Sequence, residues 1–296
     1  MSSSNRTSLS QANGEETIAE TKTKHQAELY QRYANSVSSL PSAEGLSHLP
    51  LYRHHQGWQG SRMCIAGAMA ANACFAARPS DIVIATLPKS GTTWIKSLLY
   101  ATVRRREHPP DAAAGDHPFN SSGPHECVKF LEYQIYTGNK TKGDDGLDDL
   151  PDPRLFATHV PSVALPASVV ASGCKIVYMC RDPKDTMVLF FRYEEVWTDP
   201  AAHVRRLAEF VGVPFGAEEE EYGVVDAIVR LCSFEHMRGL EVTKSGTTEF
   251  AVGVVENSSF FWRGGVGDWA NHLSPEAARR IDAITEARFK GSGLNV

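Results

Sequence analysis

The amino-acid sequence predicts an α/β fold in which a central parallel sheet carries helices on both faces. Three observations point there. Ile82-Val83-Ile84-Ala85-Thr86 is a short β-branched run with the unbroken apolarity of a strand buried on both sides. A polar turn and an amphipathic helix follow it at once, with Ile95, Leu98, Leu99, Thr102 and Val103 on one face and Lys96 opposite. Two further strand candidates, Arg154 to Val160 and Cys174 to Cys180, recur downstream.

Composition narrows the class. The 296 residues are 42% hydrophobic and 22% charged, ordinary for a globular protein and long enough to bury a core without disulfides or metal clips. Lys+Arg 30 against Asp+Glu 35 argues against a duplex nucleic-acid binder, which needs surplus cations on one face. Cys64, Cys74, Cys127, Cys174, Cys180 and Cys232 are scattered, with no CxxC pair, and read as thiols of a reducing compartment. Residues 1–47 are rich in Ser, Thr, Gln and Glu and lack the apolar core of a signal peptide. They are expected to form a disordered polar tail ahead of one domain over 48–296, in the cytoplasm.

The domain begins near Pro50. Met63 to Ala77 is Ala-rich, includes Asn72 and is shorter than the ~20 residues that span a bilayer, so it reads as a packed helix and not as a membrane anchor. Arg78 to Asp81 breaks that pattern before the strand, and the next helix runs from Thr93 to about Val103. Arg105 to Pro153 shows little periodicity apart from Cys127 to Leu131 and reads as a long surface excursion. Its acidic stretch Gly143 to Asp149 fails the EF-hand spacing and reads as a solvated loop. Leu189 to Tyr193 is a fourth strand candidate. Asp199-Pro200 opens a helix that Gly212 closes. Glu218 to Glu221 reads as a solvated charge run beside a helix start. Ser274-Pro275 opens the last helix, with Ala277, Ile281 and Ile284 as its inner face.

The chemistry concentrates in Leu87-Pro88-Lys89-Ser90-Gly91-Thr92-Thr93-Trp94, between the buried strand and its helix. Backbone N–H groups of such a turn converge, and the helix N-terminus adds partial positive charge, so a phosphate-like oxyanion fits there. Lys89 adds a full charge, Ser90, Thr92 and Thr93 add hydroxyls, and Gly91 lets the backbone approach the anion. The lysine precedes the glycine, so this is not a Walker A loop.

Pro88 to Trp94 resembles the 5′-phosphosulfate loop of plant cytosolic sulfotransferases, which use 3′-phosphoadenosine 5′-phosphosulfate (PAPS) as sulfuryl donor. Leu155-Phe156-Ala157-Thr158-His159-Val160-Pro161 resembles the segment that carries the family's catalytic base, implying that role for His159, with Lys89 as the cation at the leaving group. Cys174 to Asp185 resembles the 3′-phosphate strand and turn and implies Arg181 as a ligand; Arg192 to Glu195 places the family tyrosine at Tyr193. Cys232 to Met237 is similar to the nucleotide-contacting stretch, implying Cys232, Ser233 and Met237, and Arg263 to Trp269 resembles the RxGxxGDW motif, implying Arg263, Gly264 and Gly265. Trp94 is implied as a stacking partner for adenine, against a plain core role. The resemblance spans roughly Leu51 to Val296. It implies a P-loop-like nucleotide-binding fold and an EC 2.8.2-type reaction without a metal. The implied acceptor is a hydroxyl of a small flavonoid, steroid or other phenolic or alcohol metabolite of plant secondary metabolism. Cytosolic relatives are monomers or weak dimers.

Two departures stand out. The family's lysine within its RKG triplet is Gly264 here, which implies one lost phosphate contact. Relatives also carry a helix and several tens of residues of acceptor pocket after the Arg-Asp-Pro-Lys-Asp turn, whereas here Val188 runs straight into Leu189, at the family's serine position. Parallel strands need a crossover of a dozen or more residues, so Arg181 to Val188 leaves no room for the usual helix. Two readings follow: an active sulfotransferase, or a degenerate or truncated member with weak or no activity. An ATP-dependent kinase is disfavoured by the lysine order and the lack of a Mg²⁺ carboxylate pair.

Overall fold

The computed structural model describes residues 24–44, 50–54, 57–111, 117–137, 147–148, 150–180, 191–261 and 264–290. Residues 24–36 are helical (α1) and bury Tyr30, with Val37 just beyond, in the same apolar cluster as the following helix. This corrects the expectation of a disordered tail over 1–47. The polar composition hides two apolar anchors, which a helix brings onto the domain, while residues 1–23 and 45–49 lie outside the described residues. β1 (Ser42–Glu44), β2 (Pro50–His54) and β3 (Gly57–Gln59) pair antiparallel into a small sheet that no periodicity announced.

α2 (Arg62–Cys74) is the Ala-rich packed helix, capped by Ser61. β4 (Ile82–Thr86) is buried along its whole length, as expected, and leads through the polar turn into α3 (Thr92–Val103). α4 (Pro124–Cys127) and β5 (Lys129–Phe130) follow, then a π-helical turn over Leu131–Ile135 and β6 (Leu155–Thr158). The stretch read as a surface excursion therefore supplies core: Phe119, His125, Val128, Phe130, Leu131 and Glu132 are all buried. Its apolar residues are too sparse to make a period, and only tertiary packing assembles them. Of the acidic stretch 143–149, only 147 and 148 are among the described residues.

α5 (Ala167–Ser172) precedes β7 (Lys175–Cys180), and β8 (Phe191–Arg192) follows residues 181–190, which are outside the described set. The main sheet has five parallel strands in the order β5-β6-β4-β7-β8. Of the expected strand over Leu189 to Tyr193, Phe191–Arg192 pairs with Met179 and Cys180 at the far end of β7 and Tyr193 begins a helix, while 189 and 190 lie outside the described residues. In that register Phe191 stands beside Met179, so the residues that flank 181–190 are offset by about one residue's rise along the strand direction, not by the length of a strand.

Alternate residues of the strands face opposite layers. Ile82, Ile84, Leu155, Ala157, Val177 and Met179 pack with α3 and with α7 (Pro200–Val211) and α9 (Val224–Leu231), which follow α6 (Tyr193–Thr198) and flank α8 (Ala217–Glu221). Val83, Phe156 and Ile176 pack with α1, α2 and α5 on the other side. Asp199 caps α7 and Gly212 ends it, as the sequence implies. The glutamate run is not simply solvated, because Glu219 takes a two-pronged contact from buried Arg105 at 2.7 and 3.0 Å and Glu220 pairs with Arg205.

α10 (Phe234–Gly239), α11 (Glu241–Lys244) and the hairpin β9 (Thr247–Phe250) to β10 (Gly253–Glu256) close the second half before α12 (Pro275–Phe289). Ser274 caps α12, but its buried positions are Ala278 and Thr285, while Ile284 is 53% exposed. The inner face is thus rotated from the expected 277/281/284 stripe. At the sheet's other end Arg154, at the start of β6, forks onto Asp81 ahead of β4 at 2.8 and 2.6 Å, both side chains fully out of solvent. Removing either partner strands a buried charge, at a cost of about 3–5 kcal/mol.

Candidate active site

The turn between β4 and α3 folds as an anion cradle. Lys89 (φ 68) and Gly91 (φ 88) both adopt left-handed backbone, and the Ser90 N–H donates to the Leu87 carbonyl at 3.2 Å to close the turn. Gly91 is the N-cap of α3 and supplies no side-chain cap, so the first-turn N–H groups of a twelve-residue helix are left for an outside acceptor. Gly91 is also required sterically, since a Cβ there would sit 2.7 Å from the Tyr193 ring. The buried Ser90 Oγ has no protein partner. An orphaned hydroxyl beside converging N–H groups and a lysine fits a phosphate or sulfate oxygen.

Beside the cradle opens a cavity of about 990 Å³. Lys89, Gly91, Thr92, Thr93 and Trp94 line it from the turn, His159 from the end of β6, and Tyr193 from the start of α6. Cys232, Ser233 and Met237 reach it from around α10, and Gly264 and Gly265 from the segment before α12. One enclosure thus gathers twelve of the fifteen sequence-predicted positions; Ser90 is buried beneath it, and Arg181 and Arg263 lie outside the described residues. Ser233 also caps α10 by accepting from His236 N–H at 3.2 Å. Gly264 has φ 56, and a Cβ there would overlap the Phe234 ring. The absent lysine is therefore matched by an aromatic ring seated against the bare backbone.

His159 is held in one tautomer. Its Nδ1 lies 2.7 Å from the Thr86 carbonyl oxygen, which can only accept, so Nδ1 carries the proton and Nε2 keeps its lone pair. The Thr86 hydroxyl lies 2.8 Å from the Thr92 hydroxyl, linking the His159 side of the cavity to the turn. Burial pushes the His159 pKa down to about 4, with the charge of Lys96 adding to the shift and the Thr86 carbonyl opposing it. The imidazole is neutral at pH 7. From below, Glu132 accepts the His159 backbone N–H at 2.6 Å and the Thr158 hydroxyl at 3.0 Å. Burial still pushes its carboxyl up to about 7, against those hydrogen bonds.

Several site residues escaped the sequence reading. Phe130 and Tyr133 stand 4.6 and 5.7 Å from the His159 ring, and Trp197 completes an aromatic group with Trp94 and Tyr193. Trp94 meets Tyr193 edge-on at 5.3 Å while lining the cavity, so it is half core and half site. Lys96, expected on the outward face of α3, is completely buried, because α4 and β5 cover that face. A lysine flanked by Ile95 and Ser97 on an otherwise apolar helix was the only available hint.

Fold and site together define an α/β protein with a polar turn shaped for an oxyanion and a histidine held in its Nδ1–H tautomer at the carboxyl edge of a parallel sheet. The chain belongs to the sulfotransferase family: the family's Sulfotransferase domain matches residues 79–188 and 188–293. Cytosolic sulfotransferase 16 of Arabidopsis thaliana is 35% identical, over 89% of this chain and 92% of its own length. A crystal structure assigned as a steroid sulphotransferase of Arabidopsis thaliana is 30% identical, with TM-score 0.65 over 88% of this chain and 94% of that one. Mouse sulfotransferase SULT7A1, complexed with PAP, shares the fold at 22% identity, with TM-score 0.58 over 82% and 96%. Among the described residues no helix is long and apolar enough to cross a membrane, and no group of three His, Cys, Asp or Glu is placed to hold a metal ion.

Proposed function

We propose that the protein transfers the sulfuryl group of PAPS to a hydroxyl of a small, uncharged, largely apolar acceptor. The observation that carries this reading is the base-competent His159 tautomer, fixed by Thr86, in the same cavity as the Lys89 anion turn. Bound PAPS would supply a sulfuryl group between two oxygens, a reaction expected to proceed in line through a loose transition state, where positioning and charge stabilisation dominate. Lys89, Ser90, Thr92, Thr93 and the turn's N–H groups would hold the 5′-oxyanion and steady charge on the leaving oxygen. His159 Nε2 would take the acceptor's proton as the hydroxyl attacks. Trp94 and Tyr193 offer ring faces to the adenine, and Arg181 and Arg263 are assigned to the 3′-phosphate.

The surroundings of His159 support the acceptor class. Phe130, Tyr133, Phe250 and Phe260 line that side, and the only charged side chains of the cavity lining among the described residues are Lys89, Glu235 and Asp268. Among the described residues of the lining no cation faces an acceptor carboxylate apart from the lysine assigned to the donor. This favours phenolic and steroid-like alcohols over carboxylated ones. Relatives named cytosolic support a cytoplasmic location, and a monomer or weak homodimer is our reading of the assembly.

We also read the junction at 188/189 as lacking a segment that relatives possess. The two family matches meet at Val188, and the alignment with cytosolic sulfotransferase 16 runs over 318 positions for a chain of 296. Two experiments test these readings. In the first, purified protein is melted with and without adenosine 3′,5′-bisphosphate (PAP), where a hundredfold excess over Kd gives ~2.7 kcal/mol. In the second, ³⁵S transfer from PAPS is followed on a panel of phenols and steroids. A cooperative melt that PAP does not move, together with no transfer on any acceptor, overturns the functional reading and favours a degenerate member. Transcripts that encode extra residues between 188 and 189 would mark the junction as a splicing or gene-structure variant.

A further inference from the structure

Lys96 is sealed completely in the core. Its Nζ lies 3.1 Å from Nδ1 of His125 and 3.3 Å from the centroid of the Phe130 ring. The other ring nitrogen, His125 Nε2, lies 3.1 Å from the hydroxyl of Thr93, which lines the cavity beside Lys89. Three side chains from α3 and α4 thus make a line of hydrogen bonds from the core to the anion turn. Burial drives both Lys96 and His125 toward their neutral forms, well below their ordinary ranges.

The direction of that line follows from donors and acceptors. With Nζ donating to Nδ1 of His125, the only role open to an ammonium and one that a neutral amine can fill while its second N–H faces the π cloud, His125 carries its proton on Nε2 and gives it to Thr93. A threonine hydroxyl has one proton; with its oxygen accepting from His125, it has that proton left to donate, and the direction open to it is the cavity.

We propose that Lys96 and His125 are positioning residues that fix the Thr93 hydroxyl as a donor to the 5′-oxyanion of the sulfuryl donor. This rests on the function proposed above. A lysine that served only to fill volume would be replaced by methionine without consequence, whereas this pair sets the polarity of a hydroxyl two bonds away from it.

The pair is read directly by ¹⁵N NMR of histidine-labelled protein, with the His125 signals identified by their loss in His125→Gln. The neutral Nε2–H tautomer is expected at pH 7, and an Nδ1–H tautomer or an imidazolium overturns the proposal. Calorimetry then compares PAP with adenosine 3′-monophosphate, which lacks the 5′-oxyanion. Thr93→Val and His125→Leu should each weaken PAP about tenfold, the double variant no further, and adenosine 3′-monophosphate should be unaffected. His125→Gln should keep PAP within about twofold, since its amide can accept from Lys96 and donate to Thr93. Should His125→Leu not fold, Lys96→Met takes its place, with the ring retained and Nδ1 free to take the proton, and weaker PAP binding is again expected. Full PAP affinity in His125→Leu or Lys96→Met, or equal losses on both ligands, overturns the proposal while leaving the function standing. No PAP binding by the unchanged chain overturns the function and the Thr93 assignment together, and the tautomer measurement then still judges the Lys96–His125 pair.

Discussion

Replacing His159 by alanine removes the imidazole whose Nδ1–H the Thr86 carbonyl holds at 2.7 Å, and sulfuryl transfer is expected to fall ~10²–10⁴-fold. The PAP-induced rise in melting temperature should survive that change, because the N–H groups, hydroxyls and Lys89 of the turn do not include the imidazole. The same residue sets the acid limb of kcat/KM. With the folded pKa lowered to about 4, His159 stays unprotonated well below the ordinary imidazole range, so the limb should lie nearer pH 4 than pH 6.5. A limb at 6.5 or above would show that the ring is more hydrated than its packing indicates or that another group is the base. Lys89 was legible because it sits in a polar turn between a strand and a helix, a local signal, whereas a lone histidine at a strand end has no such signal and His159 was legible only through the resemblance of its segment to the family. Lys96 and His125 were not, since they are 29 positions apart and only the packing of α4 on α3 makes them partners.

At the scale of elements, the anion turn depends on Gly91. An alanine there needs left-handed backbone, at about 1–2 kcal/mol, and pushes on the Tyr193 ring, so Gly91→Ala should lower both the melting temperature and PAP affinity. α1 offers a second test: a chain that starts at residue 38 loses buried Tyr30 and Val37, each contributing roughly 1.5–3 kcal/mol, and should melt well below the full chain. An unchanged melting curve would place α1 outside the cooperative unit. β4, α3 and α7 could be read from sequence because their signals are local: a continuous apolar run, a one-sided stripe, an Asp-Pro start and a Gly stop. β5, the small antiparallel sheet and α1 could not, since strands of two to five residues, or two apolar anchors among polar neighbours, acquire meaning only against the rest of the domain.

Across the whole molecule, buried titratable groups set the response to acid. His117 and His159 are each pushed down to about 4, chiefly by burial, and His125 well below its ordinary value; Glu132 is pushed up to about 7. Each histidine contributes stability that is complete above about pH 6.5 and is lost as pH falls toward its folded pKa, because the unfolded chain binds the proton first. Glu132 acts in the opposite sense: its contribution is complete below about pH 4.5 and is lost as pH rises through about 7. Near pH 5.5 these four groups should together take up about two protons net on unfolding, contributing a rise of stability with pH of about 2–3 kcal/mol per unit. His117→Asn, whose amide oxygen can still accept the Phe119 N–H, should reduce that uptake by about one, as measured by melting in buffers of different ionisation. A slope that does not respond would show that His117 is protonated in the folded state.

The ring of Phe234 against Gly264 also constrains the order in which this site can change. A side chain at 264 meets both a left-handed backbone and an occupied space, so Gly264→Lys on its own should unsettle the segment before it can reach any phosphate. Shrinking Phe234 beforehand opens the space but removes a ring from the cavity wall. The two positions are therefore epistatic: a lineage that exchanged the lysine for the ring cannot retrace that exchange one substitution at a time without passing through a form poorer than either end.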